Sequence, residues 1–162
     1  MRIYIVLLAL ALSACQAHTP HSSHAAESGP GYGLSDETRR QALASADWSQ
    51  VKTLSIELRD YGFTPRELHL QSGQPYRLII TNNGSTSHYF DALDFLRSIA
   101  SRKVMVPHQA EVKADFFNAF ELSRRGGSLE LYFVPVTKGS YRAHCHLEGR
   151  EHAGVEGTLV IE

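Results

Sequence analysis

The residues best equipped for chemistry lie near the C-terminal end, in Tyr141-Arg142-Ala143-His144-Cys145-His146, with His152 following after a short loop. Thiolate and imidazole are the protein groups that hold copper and zinc. Side chains in a strand alternate between faces. Tyr141, Ala143 and Cys145 therefore share one face, and Arg142, His144 and His146 the other. On that outer face His144 and His146 are either an external chelate for copper or zinc or two exposed polar side chains. His88 lies far upstream, just after the turn Asn82-Asn83-Gly84. His69 and His108 stand alone, in a strand and a loop, and read as solvated or packed side chains. Met105 reads as packing, and Arg97, Arg102 and Lys103 as a solvated face. There is no Gly-rich phosphate loop, no G-x-S-x-G elbow and no paired-carboxylate motif, so no enzyme is expected.

The elements that must position these groups belong to a chain of 162 residues, enough for one domain of ordinary size. With 16 basic and 17 acidic residues the formal charge is -1. That balance gives no electrostatic case for nucleic acid, whose phosphates demand clustered Lys and Arg. Two cysteines make no disulfide framework.

Met1-Arg2 and the apolar run Ile3 to Leu12 are too short for a membrane span, which needs roughly 20 residues, and suit a signal peptide. Leu12-Ser13-Ala14-Cys15 resembles the bacterial lipoprotein signal. That resemblance implies cleavage after residue 14, lipidation of Cys15 and a membrane anchor facing the periplasm; Gln16 points to the outer membrane. Cys145 is then the one free thiol of an exported protein. Residues 15–33 carry His18, His21 and His24 among Ser, Gly, Pro and Ala, and read as a flexible tether before a single domain at 34–162.

Ser35-Asp36-Glu37 predicts a helix start, with the helix running to about Ala46 and packed through Leu43 and Trp48. From Lys52 the texture becomes short alternating segments. Strands are predicted from Leu54 to Leu58, at 67–70, from Tyr76 to Asn82, and at 111–114, 118–123, 128–134, 139–145 and 155–161. Gly62 and Pro65 read as breaks. Phe90 to about Arg102 has helical spacing through Leu93, Leu96 and Ile99 and reads as a helical insertion. The pattern is all-β, a Greek-key sandwich or barrel with a short N-terminal helix.

Residues 51–162 resemble the cupredoxin family of single-domain copper proteins. The likeness rests on Tyr76 to Phe90, with His88 after the Asn-x-Gly turn, on Leu131-Tyr-Phe-Val-Pro135, and on Gly139 to Glu162 with Cys145 at a strand end. It implies one mononuclear copper site, with a thiolate and two imidazoles as ligands and a weak axial group.

The subgroup pattern Cys-x-x-x-Gly-His-x-x-Ala-Gly-Met-x-Gly, laid without gaps from Cys145, puts the second histidine on Arg150 and the axial methionine on Val155. Neither can ligate a metal. His152, two residues beyond Arg150, is the histidine available to stand in. The expected ligands are His88, Cys145 and His152, with the axial place empty or water-filled. His144-Cys145-His146 also resembles the multicopper oxidase signature, but that cluster needs several His-x-His pairs and this chain has one. The expectation is a copper-binding lipoprotein that transfers electrons or holds copper and hands it to a protein partner. The alternative is a cupredoxin-fold binding module without metal, Arg150 filling the old ligand position.

Overall fold

The computed structural model describes residues 33–162. The predicted signal peptide, Cys15 and, except for Gly33, the predicted tether lie outside the described residues. Among those residues no helix is long and apolar enough to cross a membrane.

Helix α1 (Asp36–Ser45) starts where Ser35 caps it, its hydroxyl accepting the Thr38 amide at 3.2 Å. What binds α1 to the body is Arg39, the buried side chain of this helix. Its guanidinium donates to the carbonyls of Ile99 and Asp115, both at 2.9 Å. Leu43 and Trp48, expected to do this work, are only half-buried.

Eleven strands follow: β1 (Lys52–Arg59), β2 (Gly62–Thr64), β3 (Glu67–Leu70), β4 (Tyr76–Asn82), β5 (His88–Asp91), β6 (Ile99–Val106), β7 (Ala110–Val112), β8 (Ala119–Leu122), β9 (Gly127–Pro135), β10 (Gly139–His144) and β11 (Glu156–Ile161). They form two sheets, ordered β2-β1-β4-β9-β6-β7 and β3-β11-β10-β5-β8. Pairs β1/β4 and β3/β11 are parallel and the rest antiparallel. This is the all-β sandwich read from the alternation.

Each sheet buries one face. Tyr76, Leu78, Ile80 and Asn82 of β4 point inward, as do Leu129, Leu131 and Phe133 of β9. Phe90, Phe120, Ala143, Leu159 and Ile161 meet them from the second sheet. A slip of one residue in β10 would turn Ala143 outward and His144 inward. Burying each large apolar side chain contributes about 1.5–3 kcal/mol, so the register is firmly set.

Two expectations need correction. The helix predicted from Phe90 to Arg102 is only α2 (Leu93–Ser98), and its second half is strand β6. Backbone pairing explains the change: Ile99, Ala100 and Val104 lie opposite Pro135, Val134 and Leu131 of β9, which would otherwise present an open edge. The ladder shifts register between Ser101 and Lys103, and the freed Arg102 guanidinium stacks over the Trp48 ring at 4.3 Å. The second correction is at Gly62, which opens strand β2 against β1 rather than ending the pattern.

The registers gather several termini at one end of the sandwich. There β1, β4 and β10 finish, and β5, β9 and β11 begin. Strands β5 and β10 meet at a single position, His144 opposite Asp91.

Candidate metal centre

His88 opens β5 and is fully buried. Its approach is set by Asn82, also fully buried, at the end of β4. The Asn82 side-chain amide donates to the carbonyls of Thr86 at 2.8 Å and Leu122 at 2.9 Å, and its oxygen accepts the Gly84 amide at 2.8 Å. One side chain thus folds the loop and ties it to β8. A Cβ at Gly84 would lie 2.6 Å from His88 Nε2 and 2.7 Å from Asp60 Oδ1, so this position requires glycine.

Cys145 follows β10 directly, and its amide donates to the Val155 carbonyl at 2.8 Å. Between them the loop passes through Gly149, at φ +131°, and a 3-10 turn at Arg150–His152. That turn carries the His152 ring inward, where it is 8% exposed. His152 Nδ1 stands 3.5 Å from Cys145 Sγ and 3.1 Å from His88 Nδ1. The potential ligand atoms of all three residues lie within 4.8 Å of one another, and all three are buried. The sulfur also accepts the Tyr89 amide at 3.3 Å.

Behind His88 sits Asp60, just past the end of β1. Its Oδ1 accepts His88 Nε2 at 3.0 Å, and the same carboxylate accepts the Ser85 hydroxyl at 2.7 Å and the Ser85 amide at 3.1 Å. Bonding to His88 first, and to Ser85 next, holds Asp60 below the usual carboxylate range. An ionised carboxylate only accepts, so His88 Nε2 carries a hydrogen and its Nδ1 offers a lone pair. The facing Nδ1 of His152 is then the donor between the two rings. A metal held by the three residues would displace that hydrogen, which frees His152 Nδ1 as a ligand beside His88 Nδ1 and Cys145 Sγ.

Val155, where an axial ligand was sought, is buried in the core and offers no side-chain ligand atom. Arg150 is exposed. The ring beside the sulfur is that of His152. Cys15 lies outside the described residues. His144 is half-buried and His146 exposed, on the face away from Cys145. His146 Nδ1 is 3.0 Å from Asp91 Oδ2, and its ring lies 4.2 Å from that of Tyr89. His69 bridges Glu67 and Glu162, His108 sits in the β6–β7 turn at φ +60°, and Met105 lies in β6 between Glu111 and Glu130.

Asp60, Asn82, Tyr89 and Asp91 shape this end of the molecule and were not among the sequence candidates. Asn82 was visible only as part of a turn. Nothing in the local pattern joins Asp60 to a histidine 28 positions away.

A family model described as the cupredoxin-like domain matches residues 40–161. Among solved structures, a copper-containing nitrite reductase from Thermus scotoductus SA-01 is similar over 68% of this chain and 30% of its own, with 15% identity and a TM-score of 0.53. That likeness extends to the fold. A reduced auracyanin from Roseiflexus castenholzii matches over 68% of this chain and 96% of its own, with 14% identity and a TM-score of 0.45. A multicopper oxidase from Campylobacter jejuni matches over 67% of this chain and 29% of its own, with 15% identity and a TM-score of 0.47. A search of the curated proteins found no match.

Proposed function

The chain belongs to the cupredoxin family, and on that premise we propose that it binds one copper ion through His88, Cys145 and His152. The observation that carries this is the burial of a sulfur and two imidazoles with their ligand atoms within 4.8 Å. Exported thiols without a partner are prone to oxidation, whereas Cys145 has two rings and the Tyr89 amide around it. Bound copper would supply a one-electron couple. The protein holds the ligands on strand ends and a short loop, excludes water, and orients His88 through Asp60. Val155 offers no side-chain ligand atom, so His88, Cys145 and His152 would be the side chains that hold the ion. A thiolate-containing set of that size suits Cu(I), which favours copper holding and handover to a protein partner, beside electron transfer.

The setting proposed for this activity is a lipoprotein anchored through Cys15 to the outer membrane and facing the periplasm. His144 and His146 would there offer an outer landing site for the ion. The reading is of a carrier and not of an enzyme.

The test is to titrate the full chain with Cu(II) and with Cu(I) and record visible absorption and affinity. Strong thiolate-to-copper absorption, lost in Cys145→Ser and in His152→Ala, is the expected result. Colourless binding that depends only on His144 and His146 would move the ion to the surface. No binding of either ion would leave a metal-free module.

A further inference from the structure

Resting on the copper reading, we propose that Asp60 is the positioning residue of the centre: it fixes the His88 tautomer and biases the site toward Cu(II). Three donors converge on this one carboxylate, the His88 ring and the amide and hydroxyl of Ser85. A surface aspartate kept only for solubility would not be so engaged. Asp60 and Tyr61 form the two-residue turn that joins β1 to β2. Tyr61, the next residue, adopts φ +73° with its side chain 62% exposed. A two-residue hairpin turn calls for positive φ, and here a bulky residue adopts it. From that turn the Asp60 carboxylate reaches His88 Nε2 at 3.0 Å. Gly84 completes the arrangement, because any side chain there would part the two.

The chemistry follows from charge. With His88 Nε2–H tied to a carboxylate, Nδ1 is the lone pair left for the ion. A thiolate with Cu(I) is neutral, and with Cu(II) it carries one positive charge. The Asp60 anion at the edge of the site therefore stabilises the oxidised form over the reduced one. It opposes the preference of a three-ligand thiolate site, so the two oxidation states are brought closer together.

The experiment reads the two parts separately. In the metal-free full chain, ring ¹⁵N shifts of His88, assigned by their loss in His88→Gln, should show a protonated Nε2 and a bare Nδ1. Asp60→Ala should mix the tautomers. Asp60→Asn should preserve the tautomer, since its amide oxygen still accepts. A protonated Nδ1 in the parent, or an unchanged population in Asp60→Ala, overturns the positioning role whether or not copper loads. In the copper-loaded protein, Asp60→Asn should weaken Cu(II) relative to Cu(I) about tenfold, a rise of about 59 mV in midpoint potential, with the thiolate absorption kept. An equal or lower potential overturns the electrostatic role. Failure to load copper at all would sink the copper reading and leave the tautomer result standing.

Discussion

His88 and His152 are 64 positions apart in sequence, yet their Nδ1 atoms face each other at 3.1 Å across a buried gap. One comes from a strand start fixed by Asn82, the other from a 3-10 turn. Because both rings are already turned toward the sulfur, little reorganisation remains when an ion enters. At a free-ion concentration a hundred times Kd, Cu(I) should then stabilise the fold by about 2.7 kcal/mol. That corresponds to roughly 3 °C per kcal/mol in Tm for a chain of this size. Thermal unfolding with and without a copper chelator measures it. The increment should vanish in Cys145→Ser, and an equal increment there would contradict ligation by the sulfur.

Asn82 is the keystone of the loop that delivers His88. Asn82→Ala leaves the Thr86 and Leu122 carbonyls and the Gly84 amide without this partner. Orphaned buried groups cost about 1–3 kcal/mol each where water cannot reach. A loss of about 3 kcal/mol is expected, read as a lower denaturation midpoint at unchanged slope. A change under about 0.5 kcal/mol, the level of ordinary surface substitutions, would show that the loop holds itself.

Gly84→Ala separates fold from site. The added methyl would meet His88 Nε2 and Asp60 Oδ1, so the bond between them should break while the sheets stay paired. Loss of copper affinity with far-ultraviolet dichroism unchanged is the expected pattern. Affinity equal to the parent's would mean that the loop absorbs the methyl.

His69 gives the fold a pH dependence away from the centre. Its Nδ1 meets Glu162 and its Nε2 meets Glu67, each at 2.8 Å. The hydrogen bond to Glu162 first, and that to Glu67 next, raise its pKa. A group whose folded pKa lies above the unfolded value stabilises fully below the unfolded value, about 6.5, and loses that effect as pH rises through the raised folded value. The stability difference between the parent and His69→Gln should therefore be largest in mild acid and shrink with increasing pH. A difference that grows with pH would refute the pairing.

The fold was legible where one periodicity ruled. Alternation alone placed Ala143 and Cys145 inside and His146 outside, because a half-buried strand leaves no other choice. It missed the strand at 99–106, of which 99–102 reads as helix from the spacing of Leu93, Leu96 and Ile99. The deciding partner there, β9, is remote in sequence. At the centre, the approach of the His152 ring to the sulfur depends on a 3-10 turn that loop spacing does not encode. Asp60 was hidden for a related reason: its role exists only once β1 and β4 lie parallel and end together.

The solitary rung between β5 and β10 has a dynamic consequence. His88 rides on one of these strands and Cys145 follows the other, so the sulfur and the ring belong to strands joined by one ladder position and by contacts of Tyr89 with Cys145 and of Asp91 with His146. Local opening is cheapest where cross-strand bonding is sparsest. Opening there would move the loop between Cys145 and Val155 and leave the pairing of β10 with β11 intact. On the copper reading proposed above, that edge is where an ion would enter or leave.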